Sequence, residues 1–482
     1  MALRTAALVL GICLLGGCGS GAADKTGGSS TPVVLRLADS NNSDQPDTGA
    51  LQYFAAQVAK RSAGSLRIRI TYLAAGSATP FVEERTIRAV RDGRFDLGWI
   101  GARSWDEEDV RSFRALQAPF LITSTRLLNR VVTSPLAGEM LDSLKAENVV
   151  GVALVPDYLR HPVGMGRPLV SPADFVGARV RIQPSRVTTA LIKALGATPE
   201  VISNSQIGYA IVHKQIDGQE VAMLSNPGGS VLAGNVVFFA KAITLFANQH
   251  SYGRLTAEQK RILGAAADAT VRHAVARNPT DGQIARHFCF DRRRIVLATP
   301  AQLATLAAEA QPVYRMLQAD PQTRRFIRQI QSWKRTTPPD PPMSLPAICK
   351  HLQRPAQSVG RLQPASRLDG TYRWVITLAD AHKYWGPRLN PSDTYPTIAT
   401  AILRHGTWRL VGPDGDRGTF TIRGNRLRFD WPRVASVLLF TYTRDGNGTL
   451  HLRPVLPMDP GDQFVWASKP WRRIGPPTQT AR

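Results

Sequence analysis

Gly177 to Glu220 reads GARVRIQPSRVTTALIKALGATPEVISNSQIGYAIVHKQIDGQE, and the succession of elements in this stretch decides the fold. A glycine turn at Gly177 leads into a short strand carrying Arg179 and Arg181. A helix is expected next, then the turn Gly196-Ala197-Thr198-Pro199, a second helix, and Asp217-Gly218-Gln219-Glu220. Gly218 is expected to turn the chain into a crossing strand, with Glu220 near a hinge. Residues two apart on a strand share a face, so Arg179 and Arg181 point the same way unless the strand ends between them. An arginine buried without a partner is costly, so Arg181 must meet either a protein carboxylate or an incoming anion. Glu220 and Asp217 are the internal partners at hand. A small carboxylate is the external one, because the guanidinium fork matches it with two parallel hydrogen bonds.

Upstream, the chain alternates strands with helices, which implies an α/β sheet. Strands are expected at Val33 to Ala38, Leu66 to Tyr72, Phe95 to Ile100 and Val149 to Val155. Helical spacing covers Thr48 to Arg61, Glu83 to Arg91 and most of Thr123 to Glu147. Downstream, Ser203 with Gln206, Thr256 with Gln259 and Thr299 with Gln302 fit capping boxes, and Pro300 sits at a first helical position.

Several of these segments resemble TRAP-transporter solute-binding proteins, the DctP-type receptors for organic acids. Val90-Arg91-Asp92-Gly93-Arg94-Phe95-Asp96-Leu97-Gly98 fits the family's helix-Gly-x-x-Asp-x-Gly step, and Ala118-Pro119-Phe120 its apolar-Pro-Phe segment. Arg160, Pro168, Ser171-Pro172-Ala173-Asp174, Gly177, Arg179 and Arg181 fit the family's run of Arg, Pro-Ile, Asp-Leu-x-Gly-x-Lys-x-Arg. The resemblance covers about residues 33–330. It implies an α/β two-lobed clamshell of the periplasmic-binding-protein type. It also implies that Arg181 clamps a ligand carboxylate and that Arg160 adds a second contact. In the family, Asp-Gly-Gln-Glu is usually followed by Asn-Pro. Here Val221-Ala222 follow, so a polar ligand contact is missing and a more apolar or differently shaped acid is expected. Asn235 and Asn248, with Phe246, lie in the next apolar stretch; the two asparagines are candidates for lining the cleft, and a structural role is the alternative. Trp99 and Trp105 are either core or a first-lobe wall.

The first residues address the chain. Arg4 and the apolar run Ala6 to Leu15 fit a signal peptide over residues 1–17, too short to span a bilayer. Leu15-Gly16-Gly17-Cys18 looks like a bacterial lipobox, which makes Cys18 the lipid attachment site and residues 18–32 a flexible tether at the cell membrane. Cys289 and Cys349 remain, and in an oxidising compartment a disulfide between them is open. The absence of Cys-x-x-Cys and of clustered histidines argues against a metal site.

Composition changes past the clamshell, for which residues 33–335 are expected. Thr336-Thr337-Pro338-Pro339-Asp340-Pro341-Pro342 begins a stiff linker taken to run over 336–364. Residues 365–476 then carry short alternating runs entered by Gly370-Thr371, Gly406-Thr407, Gly418-Thr419 and Gly448-Thr449. They predict a small antiparallel β-barrel, and the aromatic close around Trp466 and Trp471 is similar to lipocalin-like domains. Residues 477–482 are a tail.

The chain of 482 residues carries a net charge of +24, but its basic residues are scattered and no nucleic-acid-binding signature is present. The charge is read as a solvated surface, with no nucleic acid partner. The acidic run Asp106 to Asp109 is read as a solvated loop, with calcium a remote alternative. No Gly-x-Ser-x-Gly, His-Glu-x-x-His or Walker loop occurs, so no enzyme and no cofactor are expected. The expected partners are a small organic acid and TRAP-type membrane permease subunits. A ligand-sensing or scaffolding lipoprotein without a transport role is the alternative, motivated by the appended barrel.

Overall fold

The computed structural model describes residues 32–43, 45–225, 230–288, 294–344, 366–385, 395–411, 417–431, 436–455 and 460–477. The expected signal, tether, Cys18, Cys289, Cys349, most of the linker and nearly all of the tail lie outside the described residues.

Ten strands form the first sheet: β1 (Val33–Asp39), β2 (Leu66–Thr71), β3 (Leu97–Gly101), β4 (Val149–Met165), β5 (Arg179–Ile182), β6 (Thr198–Val201), β7 (Gly218–Ala222), β8 (Ser230–Ala233), β9 (Phe239–Asn248) and β10 (Arg294–Val296). The order is β2-β1-β3-β9-β4-β7-β5-β6, with β8 beside β4 and carrying β10. Parallel pairs at the two ends, β1 with β2 and β3, and β5 with β6 and β7, are the crossover units of two lobes. Between them β4 and β9 run antiparallel to each other, with register shifts between Gly151 and Ala153 and between Pro156 and Leu159.

The helices over Thr48–Arg61 and Val82–Arg91 pack against the first lobe, burying Leu51, Phe54 and Val58, and Ile87 and Val90, respectively. In the second lobe, the helix Arg186–Ala194 buries Val187, Leu191 and Ile192, and Ser185 caps its start by accepting from the Thr188 amide at 3.1 Å. The long helix Ala257–Arg277 and the helix Pro300–Glu309 start with the expected capping boxes. Ser203 opens a 3-10 turn instead, where its hydroxyl bonds the Gln206 side chain at 2.8 Å. Trp99 and Trp105 are fully buried core, each with its indole N–H satisfied, by Asp47 at 2.8 Å and Thr244 at 2.9 Å. Three acids of the run are ion-paired: Asp106 meets Arg114, Glu108 meets Arg88 and Arg91, and Asp109 meets Arg186. The start of the expected linker is pinned to the clamshell. Asp340 accepts from the Thr125 amide at 2.6 Å, at the start of a helix, and the Pro339 carbonyl accepts from Arg126 at 2.9 Å.

The second sheet is antiparallel and nearly closed. Its strands are β11 (Gly370–Ile376), β12 (Thr397–Arg404), β13 (Thr407–Leu410), β14 (Arg417–Arg423), β15 (Arg426–Trp431), β16 (Ser436–Arg444), β17 (Leu450–Pro454) and β18 (Arg472–Gly475). Each strand from β11 to β17 pairs with its neighbour in sequence, and β18 returns beside β11. A bridge between Leu450 and Trp471 brings the two ends together. This is an up-and-down, lipocalin-like barrel. Its interior is filled by aromatic side chains. Trp374 and Trp471 stack at 4.1 Å between centroids, and Trp466 crosses Trp408 at 5.3 Å. The indole N–H groups of Trp374, Trp408 and Trp471 donate to the carbonyls of Val465, Asp430 and Trp466 at 2.7, 3.0 and 2.9 Å.

Candidate ligand cleft

A cavity of about 660 Å³ opens between the lobes, within the range that holds small organic molecules. The first lobe contributes Ser40 to Asn42, Gly76, Ser77, Thr79 and Glu83. The second contributes Arg181, Gln183, Asn204, Ser205 and Gln219 to Ala222 without Glu220. The crossing strands contribute Asp157, Tyr158, Arg160 and Lys241.

Arg181 stands on β5, beside Gln219 of β7 and Glu200 of β6, with only 3% of its surface exposed. Its Nε donates to the Ile202 carbonyl at 3.0 Å and an Nη to Asn204 Oδ1 at 2.7 Å. Among the described residues it makes no ion pair. Burial pulls its guanidinium down to about 10, against the field of Glu220, so it stays charged at neutral pH.

The internal acids are taken by other arginines. Asp217 pairs with Arg179 at 3.0 Å, at the outer end of β5. Glu220 pairs with Arg160, whose Nη also donates to the Glu220 carbonyl at 3.1 Å. Glu220 is therefore not a lining residue. It stands behind Arg160 and neutralises it, because β4 and β7 pair Arg160 with Ala222 and Pro162 with Glu220. Arg160 itself lines the cavity.

Asn235 and Asn248 are corrections. Neither lines the cleft, since the backbone occupies both ends of each amide. Asn235 donates to the Ala298 carbonyl at 2.8 Å and accepts from the Ala298 amide at 2.7 Å. Asn248 accepts from the Ser251 amide at 2.8 Å as a helix cap, and donates to the Val90 carbonyl at 2.9 Å. Phe246 is core, lying where a Cβ on Gly98 would come within 2.3 Å of its ring.

Sequence reading missed the charged wall built by the crossing strands and the first lobe. Lys241 Nζ meets Asp157 at 2.7 Å, both buried. Burial raises the Asp157 carboxyl; burial also lowers Lys241, but Asp157 and Asp47 override it and hold the ammonium above its ordinary value. Glu83 accepts from Arg103, from the Ser104 hydroxyl at 2.7 Å and from the Gly101 amide at 2.9 Å. Burial pushes the Glu83 carboxyl up, but Arg103, Lys241 and these bonds more than offset it. Arg103 also reaches Gln183 and the Pro184 carbonyl of the second lobe, at 3.1 and 3.0 Å. Behind this wall, burial and then the Asp47 charge raise the Asp39 carboxyl well above its ordinary value. The only cue in the sequence was the apolar company of these charged residues, such as Lys241 within the run of β9. Val221 and Ala222 do line the cleft, so the departure from Asn-Pro falls on its surface.

The cavity thus carries, among the described residues, one charged donor fork free of any carboxylate. Among the described residues no group of metal-ligating side chains occurs, and no helix is long and apolar enough to cross a membrane.

Residues 37–320 match the model of DctP, bacterial extracellular solute-binding protein, family 7. The C4-dicarboxylate-binding periplasmic protein DctP of Rhodobacter capsulatus is 22% identical over 189 residues, 39% of this chain and 55% of that protein. A solute-binding protein of Verminephrobacter eiseniae is 25% identical over 226 residues, 47% of this chain and 64% of that protein. The chain thus spans 55% to 64% of the length of these curated relatives. Among solved structures, a TRAP periplasmic solute binding protein from Shewanella oneidensis with bound succinate superposes with a TM-score of 0.55 at 17% identity, covering 63% of this chain and 99% of that one. The sugar acid binding protein of Advenella mimigardefordensis in complex with galactonate gives 0.54 at 17%, covering 63% and 98%. At these identities the likeness shows a shared fold.

Proposed function

Because the chain belongs to the DctP family of bacterial extracellular solute-binding proteins, family 7, we propose that it is an extracytoplasmic receptor that binds a small organic carboxylate between its lobes and passes it to a TRAP-type membrane permease. One observation carries this reading: Arg181 is charged, buried and, among the described residues, without a carboxylate partner on the edge of a cavity of about 660 Å³. A guanidinium so placed lowers its free energy by taking an anion, and its planar fork favours a carboxylate. The lobes then close on the occupant. Arg160, neutralised by Glu220, orients the same carboxylate through its remaining donors. Anchoring through Cys18 would keep the receptor beside its permease.

Relatives support the ligand class, since three of the four named above are described with C4-dicarboxylates, succinate or galactonate. A sensing or scaffolding role remains the second reading, favoured by the appended barrel, which lies outside the matched family region. The test is thermal unfolding of the purified protein with a panel of small organic acids and their neutral amides. At least one acid should raise the melting temperature while its amide does not. If no acid does so, the receptor reading fails. Capture of permease subunits by the loaded receptor, and not by the empty one, would separate transport from sensing.

A further inference from the structure

We infer that the cleft selects a monocarboxylate with an uncharged, hydroxylated body over a diacid of the same carbon skeleton. This rests on the carboxylate-receptor reading above and names the class of acid. The basis is where charge is already spent. Of the cations bordering the cavity, Arg160 is held by Glu220 and Lys241 by Asp157 at 2.7 Å. Arg103, behind the wall, is held by Glu83. Among the described residues, only Arg181 borders the cavity without a carboxylate of its own.

Two acids, Glu83 and Asp157, also border the cavity, and Asp39 and Asp47 are buried in the same lobe system. A second carboxylate on the ligand would give up its water and find no free cation to replace it. A hydroxyl meets no such penalty. It donates and accepts at once, which suits the amide and hydroxyl groups of Asn41, Asn42, Ser77, Thr79, Gln183 and Gln219 around the cavity. A cationic body is also unmatched, because both oxygen-bearing acids on the wall already have partners: Glu83 accepts from Gly101, Ser104 and Arg103, and Asp157 holds Lys241. The cavity thus rejects a second charge of either sign.

The test uses compounds that differ only in terminal oxidation. The full-length protein, freed of small molecules by exhaustive dialysis, is titrated calorimetrically with D-glucitol, D-gluconate and D-glucarate, and with L-threonate and L-tartrate. At least one monoacid should bind, with its diacid at least about tenfold weaker and glucitol showing no heat of binding. A diacid that binds within about tenfold of its monoacid, or more tightly, overturns the inference while leaving a carboxylate receptor standing. If none of the four acids binds, the inference falls; if the wider acid panel is also silent, the receptor reading falls with it.

Discussion

Replacing Arg181 with methionine separates a ligand clamp from a structural arginine, because the two roles move binding and stability differently. In the clamp role, Arg181→Met deletes a fork of two charge-assisted hydrogen bonds to the bound carboxylate. Each is worth ~1.5–3 kcal/mol, so affinity should fall by about 3–6 kcal/mol, on the order of a hundredfold to ten-thousandfold. The ligand-free protein loses the bonds to Ile202 and Asn204 at 3.0 and 2.7 Å. It gains relief from holding a cation without a counter-charge at a site only 3% exposed. These oppose each other, and stability should change by no more than about 1 kcal/mol. An arginine buried in a salt bridge behaves otherwise: deleting one partner costs about 3–5 kcal/mol. The assays are calorimetric titration with an acid that the wild type binds and denaturant unfolding of the empty protein. Affinity reduced less than about fivefold, or stability lost by about 3 kcal/mol or more, would refute the clamp.

Other outcomes follow from the same geometry. Glu220→Gln strands Arg160 in a buried site, so stability should fall by about 3–5 kcal/mol; the freed guanidinium should also raise the affinity for a diacid relative to its monoacid, read by titrating both. Gly218→Ala places a Cβ 2.6 Å from Leu169 and 2.7 Å from the Val163 carbonyl, so the melting temperature should drop as β4 and β7 are pushed apart, at a cost of ~1–3 kcal/mol. Glu84 is buried with neither carboxylate oxygen hydrogen-bonded, and burial, then Glu83, pushes its carboxyl from 4.5 to about 8. The folded state therefore holds this proton more tightly than the unfolded one. The contribution is full below pH 4.5 and is lost as pH rises through about 8, so the melting temperature should decline across that window and Glu84→Gln should flatten the decline. In the barrel, Trp466→Ala removes an indole packed against Trp408 and Trp471 and should destabilise that domain by ~3–5 kcal/mol, read by loss of its near-ultraviolet dichroism.

The crossover units were legible because their periodicity is local. The helix Thr48–Arg61 and the strand starting at Leu66 fall where spacing places them. The place of Arg181 on a short strand was legible from the glycine turn before it and its spacing from Arg179. β4 was read only as far as Val155, yet it runs to Met165. Pro156 and Pro162 interrupt the pattern, and the register shift near Pro156 absorbs what local rules treat as a stop. The partner of each charge was not legible either. Glu220 and Asp217 were equal candidates for Arg181, and only strand register assigns one to Arg160 and the other to Arg179. Asn235 and Asn248 misled because an asparagine in an apolar run suits a backbone clamp as well as a ligand contact.

The register shift between Pro156 and Leu159 has a mechanical consequence. Bulged strands bend where their ladder is broken, and β4 joins the two halves of the molecule. Asp157, Tyr158 and Arg160, which border the cavity, sit within or beside that break. In the proposed receptor, a guest would push on the flexing point of the ribbon itself rather than on a distant lever, so the work of shutting the jaws would draw on the same few contacts that recognise the cargo.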